Sequence, residues 1–182
     1  MNGTRIESQV THAAWREAMP DLTRRAKRAA KAALAVAAPV AAEAELALVF
    51  VDDAASRTLN RDWRGKDKPT NVLAFAAQEA KAGTRPPAAV TDGPLLLGDV
   101  VLAYETIAGE AEAGGVPFGD HASHLIVHGI LHLLGYDHQR PREARVMETL
   151  EAQALATIGI ANPYEALPQE ARMMRARRVM ER

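Results

Sequence analysis

Within His128-Gly-Ile-Leu-His132-Leu-Leu-Gly-Tyr-Asp-His138, three imidazoles are spaced to meet at one point if a helix ends in a tight reversal. His128 and His132 are four apart, so on a helix they project from one face a turn apart. Gly135 is the residue type that most readily ends a helix with positive φ and turns the chain back. His138 then returns beside the first two. Three histidines leave the fourth tetrahedral position of a zinc ion for water, as catalytic sites do; a structural site would close it with a fourth residue. Three unrelated polar residues on a half-buried helix are a poor account of half the chain's six histidines falling at i, i+4 and i+10.

The rest of the composition narrows what that site can be. There are no cysteines, so a zinc ion, one per chain, must be held by nitrogen and oxygen. The 182 residues suffice for one domain with a core of its own. A formal net charge of −1 provides no global attraction to nucleic acid or acidic membranes, so such a partner must be met by a local patch. The first residues lack the basic-then-apolar layout of a signal peptide, and the longest apolar runs are broken by Pro39, Glu43 and Glu45. A cytoplasmic protein with no membrane partner is expected.

Along the chain, Thr4 to Val10 reads as a short strand. From Asp21 to Pro39 the apolar positions Leu22, Ala26, Ala29, Ala30, Ala33 and Leu34 share one helical face, which predicts an amphipathic helix packed on a sheet. Glu45 to Val51 has too many consecutive apolar residues for one open face and reads as a central strand. Asp52 or Asp53 caps a helix running to about Trp63. Asn71 to Ala76 and Leu95 to Leu102 read as strands, with a long Ala/Gly/Pro-rich loop from Gln78 to Pro94 between them. Ala103 to Glu112 reads as a helix ended by Gly114-Gly115. Asp120 is the expected N-cap of the histidine helix, from about His121 to Leu134. A last helix from about Pro141 to Ile158 would bury Val146, Leu150 and Ala154, with Met147 beside them. This order predicts an α+β fold: a small mixed β-sheet packed with several α-helices, the metal site on a central helix and the turn after it. Residues 1–165 form the expected single domain, and 166–182 an arginine-rich C-terminal extension.

Zinc lowers the pKa of a coordinated water to about 7, which makes a nucleophile without a strong protein base. The spacing His-x-x-x-His-x-x-Gly-x-x-His is also that of metzincin peptidases, but their general-base glutamate follows the first histidine, where this chain has Gly129. Asp137 suits a turn position or a hydrogen-bonding partner of a ligand. His124, one turn before His128, reads either as a hydrogen-bonded helix histidine or, functionally, as a proton shuttle or a support for the metal ligands. His121, three residues further back, reads as a hydrogen-bonded helix histidine.

A second constellation, Arg57 to Asn71, sets five basic residues against Asp62 and Asp67, a net +3 in a slightly acidic chain. Taken alone it reads as an exposed helix end and loop with solvated charges. Beside a metal hydrolase site it gains meaning, because phosphodiester cleavage needs a cation to offset charge building on phosphorus. Trp63 adds a flat surface for a base.

At these residues the chain resembles the YbeY family of bacterial endoribonucleases associated with ribosomal RNA maturation. The resemblance is carried by Val127 to His138, by Leu59 to Phe75 with Leu97-Gly-Asp-Val100, and by Ile158-Gly-Ile-Ala-Asn-Pro-Tyr164, in matching order from roughly Glu45 to Tyr164. Ala74 and Ala76 stand where the family commonly shows Ser and Pro. The resemblance implies an α+β domain, zinc held by His128, His132 and His138, and Arg64 as the basic residue of the active site. It further implies single-stranded RNA as substrate, notably ribosomal RNA precursors, with the ribosome or ribosome-associated factors as partners. Lys66 and Lys68 would then position the strand. The rival functions are a zinc metallopeptidase with metzincin-like spacing and a non-catalytic RNA-binding ribosome-assembly factor.

Overall fold

The computed structural model describes residues 3–37, 43–77 and 94–165. The long loop expected from Gln78 to Pro94, except Pro94 itself, and the arginine-rich tail 166–182 fall outside these residues. The chain runs β1 (Arg5–Val10), α1 (Ala14–Ala18), α2 (Leu22–Ala37), β2 (Ala44–Val51), α3 (Asp53–Arg64), β3 (Val72–Ala76), β4 (Leu95–Ala103), α4 (Tyr104–Gly114), α5 (Phe118–Leu133) and α6 (Pro141–Thr157). The four strands lie in the order β1-β2-β4-β3, with β1, β2 and β4 parallel and β3 antiparallel to β4. This is the mixed sheet of an α+β fold.

β2 is internal, as its unbroken apolar run predicts, but its two faces are not equally covered. Ala44, Leu46, Leu48 and Phe50 are buried under the helices, while the alternate Glu45, Ala47 and Val49 are half-buried. The second face is covered by α3, where Val51, Leu73 and Val101 form a small separate cluster with Ala55, Leu59 and Phe75. Gly98 (φ 117) allows β3 to approach β4, since a Cβ there would lie 2.0 Å from the Phe75 carbonyl oxygen.

On the main face, α5 is the central helix. α2 packs on α5 and α6 and meets the sheet at β1, rather than lying mainly on the sheet as its pattern suggests. Alanines at 26, 29, 30 and 33 are fully buried, and side chains this small let helices approach closely. Trp15 on the short α1, which periodicity does not reveal, is fully buried and donates its indole N–H to the Val51 carbonyl at 2.9 Å. Burying an indole this completely is worth about 5 kcal/mol gross, before chain entropy.

Helix ends follow local chemistry in two places. Asp52 caps α3, accepting the Ala55 N–H at 2.8 Å. The carboxylate of Asp53 accepts the Thr106 N–H and hydroxyl, while the Asp53 N–H donates to Glu105, so the first turns of α3 and α4 cap each other. Asp120 is not the N-cap of α5. The helix begins at Phe118, whose ring packs 5.4 Å from Trp15, and Asp120 sits in the first turn facing Arg25. The α6 expectation holds for Met147 and Ala154, which are buried, and for Leu150, half-buried against the core, but fails at Val146, which is 47% exposed. Ala144, Glu151 and Leu155 complete the inward face.

Candidate metal centre and its basic flank

α5 carries His121, His124, His128 and His132 at steps of three and four, hence along one face. The helix ends in a Schellman turn. Gly135 takes φ 84, its N–H bonds the His132 carbonyl, and the Tyr136 N–H bonds the Leu131 carbonyl. Asp137 then accepts the His138 N–H on its own carboxylate at 2.7 Å, which fixes the backbone that presents the third imidazole. Nitrogens of His128, His132 and His138 come within 4.8 Å of one another, each residue partly exposed to solvent.

These residues fit a transition-metal ion. Nε2 of His128 and Nε2 of His132 are 3.0 Å apart, near the roughly 3.3 Å separation that two zinc–nitrogen bonds make at a tetrahedral angle. Burial, then the neighbouring charges of His128 and His138, lower His132 to about 3, so it is a neutral lone-pair donor near pH 7. Burial and His128 likewise lower His138, whose Nδ1 is buried without a hydrogen-bond partner. Neutral imidazoles suit zinc, copper, nickel or iron better than magnesium or calcium.

Behind the cluster stands a residue that sequence patterning passed over. Glu151 of α6 is 1% exposed. Its Oε1 lies 2.8 Å from His128 Nδ1, its Oε2 lies 2.7 Å from His124 Nε2, and the Tyr164 hydroxyl donates to the same carboxylate. Burial alone would raise its pKa, but the charges and hydrogen bonds of His128 and His124 outweigh that and hold it well below the usual carboxylate range. The available signal was a lone acid in the apolar stripe of α6, between Met147 and Ala154. His121 is bonded as expected, its Nε2 3.0 Å from Glu110.

Gly129 is a packing necessity. A Cβ there would lie 2.5 Å from Val100 Cγ1 and 3.2 Å from Val72 Cγ2, so α5 is pressed against the sheet where metzincins carry their glutamate. A side chain at 129 would start into the strands.

The basic constellation occupies the end of α3 and the loop to β3. Gly65 caps the helix, and two buried side chains of α3 clamp the loop to the helix. Ser56 Oγ donates to the Thr70 carbonyl and accepts the Thr70 N–H, and Asn60 Nδ2 donates to the Lys68 carbonyl at 2.8 Å. The backbone is therefore fixed while the charges stay outside. Arg57 pairs with Asp67 and Arg61 with Asp62, whereas Arg64 is exposed and makes no ion pair or hydrogen bond among the described residues. Trp63 is 71% exposed, its ring 5.8 Å from Phe75. The structure thus gathers the three histidines, places His124 behind them through Glu151, and leaves Arg64, Lys66 and Lys68 on a separate element with no bond to the triad.

Comparison with known proteins adds a second line of observation. The Endoribonuclease YbeY family model matches residues 6–159. A protein named Endoribonuclease YbeY from Paramagnetospirillum magneticum is 52% identical over 151 residues, covering 83% of this chain and 90% of its own length. Another so named, from Sphingopyxis alaskensis, is 51% identical over 163 residues, covering 85% of this chain and 95% of its own length. A solution structure from Thermotoga maritima aligns with a TM-score of 0.47 at 18% identity, over 91% of this chain and 97% of that one.

Proposed function

This chain belongs to the endoribonuclease YbeY family, and from that premise we propose that it is a zinc-dependent endoribonuclease cutting single-stranded RNA in ribosomal RNA maturation. The observation that carries the metal dependence is the convergence of His128, His132 and His138 nitrogens within 4.8 Å. Bound there, zinc would supply Lewis-acid activation of water and of the phosphate. Arg64 offsets the charge that builds on phosphorus, its fork of N–H donors matching two phosphate oxygens. Lys66 and Lys68 hold the strand as point charges on a clamped loop. His124 supports the ligands through Glu151, and Asp137 supports them through the His138 backbone.

Residues 1–165 are the catalytic domain in this reading, and 166–182 an appended extension. The setting is cytoplasmic, with the ribosome or ribosome-associated factors as partners. Among the described residues no helix is long and apolar enough to cross a membrane.

The test is metal analysis of purified protein followed by incubation with single-stranded and duplex RNA, with and without chelator. About one zinc per chain and chelator-sensitive cutting of the single strand are expected. Zinc without chelator-sensitive cleavage, once contaminating nucleases are excluded, would sink the proposal. Casein cleavage with RNA left intact would revive the peptidase, despite the closed position at Gly129.

A further inference from the structure

Glu151 meets two histidines through different ring atoms, at Nδ1 of His128 and Nε2 of His124. An ionised carboxylate accepts and does not donate, so both of those nitrogens carry the hydrogen. The consequence for the two rings is opposite. In the neutral ring, the form that can hold a metal, His128 then has its lone pair on Nε2, the atom 3.0 Å from Nε2 of His132. His124 has its Nε2 committed to Glu151, with the Tyr164 hydroxyl also 3.3 Å away, and lies outside the triad.

Helix geometry alone does not make that choice. His124 and His128 are four apart, as are His128 and His132, so α5 offers two equivalent pairs of ligands. We infer that Glu151 is the positioning residue that sorts them, locking His128 as a ligand through Nε2 and withholding His124 from the metal. Its own place is fixed by burial between Met147 and Ala154 on α6, and by the Tyr164 hydroxyl, which ties the segment after α6 to the same carboxylate. Glu110 treats His121 in the same way, taking its Nε2. Each histidine of the face that is not a ligand thus has Nε2 engaged by an acid.

The inference rests on the metal-binding reading above, and its test separates the two. Full-length protein stripped with chelator is titrated with cobalt(II), and visible absorption reports both affinity and coordination. Wild type should take up one cobalt. Glu151→Gln, which keeps the shape but loses the charge, should bind about 10- to 100-fold more weakly while its metal-free melt stays cooperative. Glu151→Ala should shift the absorption band as His124 enters the coordination, and adding His124→Ala should abolish that shift. His124→Ala alone should keep the wild-type band position, because His124 is not in the coordination, with a weaker affinity because it supports Glu151.

Wild-type affinity and spectrum in both Glu151 variants would overturn the inference, as would a shifted band position in His124→Ala. Nitrogen-15 spectra of the zinc-loaded wild type provide a check that needs no variant. His128 should carry its proton on Nδ1, and a proton on Nε2 would be equally fatal. Failure of wild type to bind cobalt or zinc at all would instead refute the metal reading, and this inference with it.

Discussion

Glu151 is 1% exposed and bonded to two imidazoles, whereas Arg64 is exposed and bonded to nothing among the described residues. Glu151 lies on α6, on the α5 side of the sheet, while Arg64 is the last residue of α3, whose body packs on the other side. Under α5 and α6, polar groups are few, shielded, and locked together at 2.7 to 3.0 Å. On α3 and its loop they are many and solvated, and the order lies in the backbone instead, through Ser56 and Asn60. A metal site demands nitrogens placed to fractions of an ångström, and only buried, mutually bonded side chains hold them so. A polyanion demands free cations on a fixed track, and a clamped backbone with loose side chains provides that.

The contrast is most severely tested by removing the metal. Chelation, or His128→Ala, is expected to lower RNA cleavage by more than about 10³-fold. Cleavage within tenfold of wild type after chelation would make the histidine cluster merely structural. Acid attacks the same place: His132 titrates at about 3 in the fold against an ordinary value of 6.5. Between those values the unfolded chain binds the extra proton, so the metal-stripped protein should lose stability as pH falls from about 6.5 towards 3. Thermal melts of wild type and His132→Asn check the sign, the variant showing the flatter dependence.

Next in size, Arg64→Ala should lower kcat about 100-fold with metal content unchanged. Arg64→Lys should recover only part of the loss, because an ammonium lacks the planar fork. Metal loss in either variant would mean that the two faces are not independent. Gly129→Ala should cost about 1–3 kcal/mol in urea unfolding, since its Cβ meets Val100. An unchanged midpoint would show that α5 can ride higher on the sheet without penalty. The smallest effect is expected from the double change Lys66→Ala and Lys68→Ala. It should raise KM several-fold and make the logarithmic salt dependence shallower by about one unit for each phosphate no longer held.

How much of this was legible in the sequence obeys the same division. The triad was readable because its ligands are close along the chain and a glycine marks the reversal. β2 was readable from its unbroken apolar run, and the α3 cap from Asp52. Glu151 was not. Of the expected apolar positions of α6 only Val146 is misplaced, and the buried stripe through Met147, Ala154 and Leu155 includes an acid that apolar patterning does not select. Asp120 looked like a cap, but Phe118 joins the Trp15 and Tyr104 rings and carries the helix start back with it. α1 and the role of Gly129 depend on partners far away in sequence: Val51 for the Trp15 indole, Val72 and Val100 for the glycine. Local patterning has no access to such distant neighbours.

The nearness of the three histidines has a thermodynamic consequence for an ion held as proposed. His128, His132 and His138 fall within eleven residues, so in the unfolded chain an ion closes only short loops, at small entropic cost. With the metal bound as proposed, the unfolded chain would therefore keep an affinity of its own for the ion. The stabilisation an ion confers is the difference between folded and unfolded affinities, not the whole of the folded one. In the proposed site capture would precede closure of the sheet, and the ion would scaffold the α5 turn from early in folding, with Glu151, in the role inferred for it, adding its share only once α6 has docked.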